Sequence, residues 1–141
     1  MEYGRLNVVS ETHAVTVAEA AYNTLFGIFL PGQSPIWANG VGATVLTARD
    51  EEWRVESMHA EITTATGLHL HGRQILLFAP HPPGQPQELL PARQWQNLNG
   101  AVSLQQPVEV KRGVGVFLRT PCAIATNIVI VTYSYRVVRH G

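Results

Sequence analysis

Asn127-Ile128-Val129-Ile130-Val131-Thr132-Tyr133-Ser134-Tyr135-Arg136-Val137-Val138-Arg139 is the stretch whose reading decides the fold. It contains no Gly or Pro and is dominated by β-branched and aromatic residues, the composition of one long strand. Side chains alternate across a strand, so Val129, Val131, Tyr133, Tyr135 and Val137 share one face. Ile128, Ile130, Thr132, Ser134 and Arg136 share the other, which turns polar halfway along. A last strand of this kind closes an all-β domain.

The rest of the chain repeats the theme. Trp53–Thr64 reads as a second long strand, and Arg73–Ala79 as a strong apolar one. Arg5–Val9 and Ala14–Ala18 look like short strands separated by Ser10-Glu11-Thr12-His13, and Tyr22–Leu30 is a very apolar run. Ala18–Tyr22 fits a short helical turn equally well. Thr44–Ala48, Ala101–Leu104, Val108–Lys111 and Gly115–Arg119 complete the set of strands, and Arg93–Leu98 is short and ambiguous. Trp37–Gly42 reads as a loop, as does Pro80–Pro91, which holds five of the nine prolines. The spacing predicts eight to ten strands in an antiparallel β-sandwich or jelly roll. The predicted core is Val55, Ile62, Ile75, Leu77, Val110, Val116, Leu118, Val129, Val131 and Tyr133.

At 141 residues the chain is long enough for one domain with a real core, residues 1–40 forming an N-terminal arm or added strands. Only 14% of it is charged, against about 25% in an average soluble domain, and the formal net charge is zero. A neutral, sparsely charged surface is poorly protected against association, so contacts with other subunits are expected. The Arg residues are scattered, which argues against nucleic acid as a partner. Cys122 is the only cysteine, so no intrachain disulfide can form, and it reads as a small buried hydrophobe. No signal peptide is visible, and no apolar stretch approaches the roughly 18 residues of a membrane span.

A search for chemistry finds weak patterns. His69 and His71 sit at i and i+2, so on a strand both imidazoles face one way and could share a metal with His59 and Glu61. No acid follows in Gly72-Arg73-Gln74-Ile75, and neither metal nor cofactor is expected. No Gly-x-Ser-x-Gly is present, Cys122 sits in no nucleophile motif, and Glu51, Glu52, Glu56 and Glu61 are explained by a solvated turn and strand edge. Gly113-Val114-Gly115 lacks the rest of a phosphate loop and reads as a hairpin turn. No enzyme is expected. Trp37, Trp53 and Trp95 could stack on sugars, although an aromatic residue in a neutral β-domain more often belongs to a core or interface.

Glu52–Gly67, followed by Gly72-Arg73-Gln74-Ile75-Leu76-Leu77-Phe78-Ala79 and later by a last strand with Tyr135-Arg136, resembles small jelly-roll virion proteins of tailed bacteriophages, the capsid decoration or cement type. The shared pattern is a long strand ending in Thr and small residues, then a Gly-Arg-Gln turn into an apolar strand. It spans roughly residues 44–138. The resemblance implies a homotrimer assembled in the host cytoplasm, seated on the virion surface and clamping the major capsid protein. It suggests subunit contacts through Tyr133, Tyr135 and Arg136, and capsid contacts through Tyr3, Arg5, His81 and Gln85. Two alternatives stand beside it: a tail, neck or fibre-head module on the same fold, and a carbohydrate-binding module.

Overall fold

The computed structural model describes residues 1–21, 24–29, 34–39, 51–64, 66, 76–81, 95–98, 101–111, 115–121 and 124–140. Eleven strands and one short helix are described: β1 (Glu2–Tyr3), β2 (Asn7–Ala14), α1 (Val17–Ala21), β3 (Thr24–Phe29), β4 (Ile36–Asn39), β5 (Glu52–Thr63), β6 (Leu76–His81), β7 (Trp95–Leu98), β8 (Ala101–Leu104), β9 (Val108–Val110), β10 (Gly115–Pro121) and β11 (Ile128–Arg139). They form two antiparallel sheets. The larger has the order β1-β11-β5-β8-β7, with β2 also on β11 and β9 also on β5. The smaller has the order β4-β3-β10-β6.

The pairing is nested. β2 meets β11, β3 meets β10, and β5 meets β8 and β9. The chain crosses between the sheets from β2 to β3, from β4 to β5, from β5 to β6, from β6 to β7, from β9 to β10 and from β10 to β11, as if one long hairpin had been rolled up. This is the strand order of a jelly roll. The sheets pack face to face through Leu25, Phe29, Val116 and Leu118 on the small sheet and Val55, Met58, Ala60, Ile62, Val102, Val110, Val129, Val131 and Tyr133 on the large one. Every predicted core residue whose side chain is described is buried; Ile75 and the Leu77 side chain lie outside the described residues.

Val55 and Ile62 have opposite parity on one strand, yet both face the core. A β-bulge makes this possible. Ser57 pairs with Ser134, but Val55 pairs with Tyr135, so Glu56 is an extra residue in β5. The inward phase changes from Met58, Ala60 and Ile62 to Trp53 and Val55. On the other side of β5 the pairing passes from β8 to β9 at the same level, across residues 105–107.

Two readings of the N-terminal third need correction. Ser10–His13 is no gap between strands: β2 runs unbroken from Asn7 to Ala14, and Ala18 lies in α1. Among the described residues β2 is paired on one side only, with β11, and its polar residues alternate with Val9 without being buried. Trp37-Ala38-Asn39 is not a loop but part of β4, with Trp37 directly opposite Gly27. The indole fills the space a side chain would need. A Cβ at Gly27 would lie 2.9 Å from the Trp37 ring and 3.1 Å from the Phe29 ring. Thr44–Ala48 lies outside the described residues.

Two measurements test this packing. Gly27→Ala should cost about 1–3 kcal/mol by overpacking, read as a lower urea midpoint, and Trp37→Phe in the same chain should recover part of that loss. The second concerns Tyr133. Burial, then the Glu11 carboxylate and Tyr135, push its phenol up to about 12. The folded value exceeds the ordinary 10.0, so the stability from the neutral phenol is present below that pH and lost as pH rises through about 12. Wild type should therefore lose stability across this window relative to Tyr133→Phe; parallel curves would contradict the assignment.

Candidate functional site

The bulge in β5 builds the most organised polar cluster on the outer face of the large sheet. Arg54 and Arg136 are cross-strand partners on that face. As the extra residue, Glu56 stays beside them. Its Oε1 lies 3.1 Å from Arg54 Nε and 3.5 Å from Arg136 Nε, so one carboxylate is shared by two guanidinium groups. The N-terminus crosses the same corner. β1 pairs Glu2 with Arg139 and Tyr3 with Val138. Arg136 Nη1 donates to the Gly4 carbonyl at 3.0 Å. Arg54 lies over the Tyr3 ring, 5.3 Å from its centroid, and donates from Nη1 to its hydroxyl at 3.4 Å.

A second carboxylate marks the next row of this face. Glu52 is buried, its oxygens 2.7 Å from Lys111 Nζ and 2.7 Å from His140 Nε2. Hydrogen bonds from Lys111, then His140, hold its carboxyl below the ordinary carboxylate range. The chain's only lysine thus ties the end of β9 to the start of β5, and His140 ties the end of β11 to the same carboxylate. Further along the face the side chains are small and polar. Ser57 and Ser134 share a hydrogen bond, His59 Nδ1 meets the Ser103 hydroxyl at 2.6 Å, and Ser10 meets Thr132 at 3.4 Å.

The third cluster joins the sheets at one edge. Thr16-Val17-Ala18-Glu19 is a capping box: Thr16 N–H donates to Glu19 Oε1 at 2.9 Å, and Glu19 N–H donates to Thr16 Oγ1 at 3.2 Å. Both Glu19 oxygens also lie 2.9 Å from His13 Nε2, which donates to the ionised carboxylate. The His13 ring in turn stacks on Trp37, with centroids 4.9 Å apart and planes 9° apart. Burial opposes ionisation of Glu19 and is the largest single influence. Even so, the Thr16 amide, the His13 ring and the Thr16 hydroxyl together hold the carboxyl below its ordinary 4.5.

The sequence-derived candidates fall into different places. Tyr133 is not a surface contact. It is 3% exposed, because β11 alternates without interruption and Tyr133 shares the inward phase of Val129 and Val131. Tyr135 also faces inward, half-buried, and stacks on Trp53 at 3.8 Å. Arg136 points outward and meets Tyr3 in one cluster through Arg54 and Glu56. Arg5 is exposed beside it, its carbonyl accepting from Asn7 Nδ2 at 3.2 Å. His81 ends β6 opposite Gly115, and its side chain, like that of Trp95, lies outside the described residues. Gln85, His69, His71, Gly113 and Cys122 lie wholly outside them.

Trp53 is core, and Trp37 is occupied by His13 and by Gly27 and Phe29. Among the described residues no three His, Cys, Asp or Glu side chains converge as metal ligands. Sequence reasoning missed Arg54, His13 and Glu19, and read Glu56 as part of a solvated strand edge. The capping-box pattern of Thr16 and Glu19 was the available signal for Glu19. No family model, no curated protein and no solved structure matches this chain.

The capping box makes a pH-dependent prediction. The folded Glu19 value is depressed, so its stabilisation is present above about pH 4.5 and lost as pH falls through the depressed value. Glu19→Gln should lower stability by about 1 kcal/mol at neutral pH, and its unfolding midpoint should converge with wild type in acid. A pH-independent gap would show that the charge on Glu19 does not matter.

Proposed function

We propose that the chain is a structural protein of a bacteriophage virion that decorates the capsid and stabilises the major capsid protein lattice. The observation that carries this reading is the jelly-roll nesting of β2·β11, β3·β10 and β5·β8/β9, which agrees with the fold implied by the sequence resemblance. Jelly rolls also serve lectins and cupins, so the surface has to decide between uses of one fold. The described surface favours contact with a protein. Its organised feature is an aromatic residue flanked by two arginines, and Tyr and Arg are enriched where binding energy concentrates at protein interfaces. Trp37 and Trp53, two of the three sugar-stacking candidates, have their rings taken up inside the fold.

The contact would work by linkage. A protein that binds the assembled lattice better than free subunits stabilises the lattice by that difference. Tyr3, 44% exposed, and Arg54 and Arg136 beside it form the proposed contact. Glu56 holds both guanidinium groups in place before binding, which lowers the ordering cost.

Co-sedimentation with capsids stripped of decoration tests this. Wild type should pellet with assembled capsids and not with dissociated capsid subunits. Tyr3→Ala combined with Arg136→Ala should weaken binding at least tenfold while the unfolding midpoint stays within about 1 kcal/mol of wild type. Failure to bind capsids, or binding to tails instead, would overturn the reading.

A further inference from the structure

We infer that Glu2–Gly4 is a strap that docks and undocks on β11 as a unit, hinged at Arg5–Leu6, and that docking assembles the Tyr3–Arg54–Arg136 corner. The strap stands on the fold alone; its bearing on capsid binding rests on the proposed function.

The N-terminal segment runs along β11 in two pieces. β2 is pinned from Asn7 to Ala14, eight residues in one register. β1 is two residues long, with Glu2 opposite Arg139 and Tyr3 opposite Val138. Between them the register shifts. Asn7 lies opposite Tyr135, so Arg5 and Leu6 share the single position of Arg136. A surplus residue of this kind interrupts the ladder. Neither Arg5 nor Leu6 lies in a strand, and both are exposed. Loss of pairing that starts at Glu2 therefore stops at the shift, because the register of β2 does not depend on β1.

Few contacts hold the strap down. The Gly4 N–H donates to the Val137 carbonyl at 2.8 Å. Arg136 Nη1 donates to the Gly4 carbonyl, and Arg54 lies over the Tyr3 ring and donates to its hydroxyl. Glu2 and Tyr3 are both exposed, and neither belongs to the hydrophobic core. Undocking thus leaves the core intact. Segments with so little buried apolar contact open at a free energy well below that of global unfolding.

The docked position is nonetheless specified. Glu56 Oε1 meets Nε of both arginines, so the bulge in β5 presents two guanidinium groups in fixed places. The strap matches them with a carbonyl for Arg136 and an aromatic ring for Arg54. Tyr3 stands beside Arg54 in the docked state alone. A partner that touches all three side chains selects that state, so its apparent affinity is the intrinsic one reduced by the docked fraction. By linkage, binding in turn holds the strap down.

Native-state amide exchange on the full chain, without capsids, measures the opening. The Gly4 amide should exchange roughly tenfold or more slower than in a free peptide, and roughly tenfold or more faster than the β5–β11 ladder. Arg136→Gln should speed Gly4 exchange and leave that ladder unchanged. Gly4 exchanging in step with the ladder overturns the inference, since the strap then opens only with the whole fold. Exchange at the free-peptide rate overturns it too, since nothing is docked. Indifference to Arg136→Gln overturns the hold assigned to the arginines. Capsid binding then tests the coupling. Gly4→Pro removes the N–H that donates to Val137 and alters none of the three contact side chains. Its Tyr3 ring resonances should move toward free-peptide positions, and capsid affinity should fall by the factor lost from the docked fraction. Unchanged Tyr3 resonances would count against the strap. If wild type and Gly4→Pro bind capsids equally with Tyr3 undocked, the coupling is wrong and decoration stands. If wild type does not bind capsids, decoration falls, and the exchange rates still decide the strap.

Discussion

Pairing on both edges of β11 is the constraint on which the rest of the structure depends. β5 follows one edge from Ile128 to Val138, while β2 and β1 follow the other. A strand held on both sides cannot slip by one residue without moving its apolar set to the wrong face. β11 keeps one phase throughout, so any mismatch has to be absorbed by its neighbour. β5 absorbs it at Glu56. The result has two sides: Trp53 and Val55 reach the core, and the surplus carboxylate is left outside between Arg54 and Arg136. The polar corner of the outer face and the apolar end of the core therefore have one cause.

Aromatic contacts then bind the layers together. His13 stacks on Trp37, Trp37 meets Phe29 edge-on, Phe29 meets Tyr133 edge-on, and Tyr133, Trp53 and Tyr135 stack on one another. The series starts on the edge strand, passes through the small sheet and returns to the large one. Each such pair adds roughly 0.5–1.5 kcal/mol beyond the area it buries. Gly27 is the concession that admits it, because only a residue without Cβ lets Trp37 lie flat there. Glu19 closes the series by holding His13, so a short helix outside both sheets contributes to their alignment.

The long strands were legible because their signal is compositional and repeated. β5 and β11 are twelve residues each; alternation along β11 picks out Val129, Val131 and Tyr133, and Val55 and Ile62 stand out in β5, whereas Trp53, Met58 and Ala60 do not, because the bulge breaks the alternation there. Their pairing with each other was not legible, because partner choice is not written in either strand. The polar run at Ser10–His13 concealed β2 for a physical reason. An edge strand buries one face partly and one edge not at all, so its hydrophobic alternation is weak. Trp37 looked like a loop residue because its strand is only four residues long. Tyr133 and Tyr135 looked alike in sequence, and both point inward. What separates them is depth: Tyr133 lies among Met58, Phe29 and Trp53, nearer the middle of the sheet. The Arg54–Glu56–Arg136 cluster was illegible for a different reason, since it requires the bulge and no residue type announces one.

A sandwich covers its faces but does not abolish its edges, and this molecule treats its edges unequally. Among the described strands, β4, β6 and β7 end the two sheets at four, six and four residues, and β2 runs eight residues along β11. The N-terminal segment is not regular throughout: Tyr3 lies opposite Val138 but Asn7 opposite Tyr135, so Arg5 and Leu6 share the single position of Arg136. That shift lets Tyr3 and Val8 face outward together although their positions differ in parity, and it carries Tyr3 to the corner beside Arg54. The proposed contact is thus set by two irregularities at one level of β11, Glu56 on the β5 side and Arg5–Leu6 on the N-terminal side, and both place their surplus residue around Arg136.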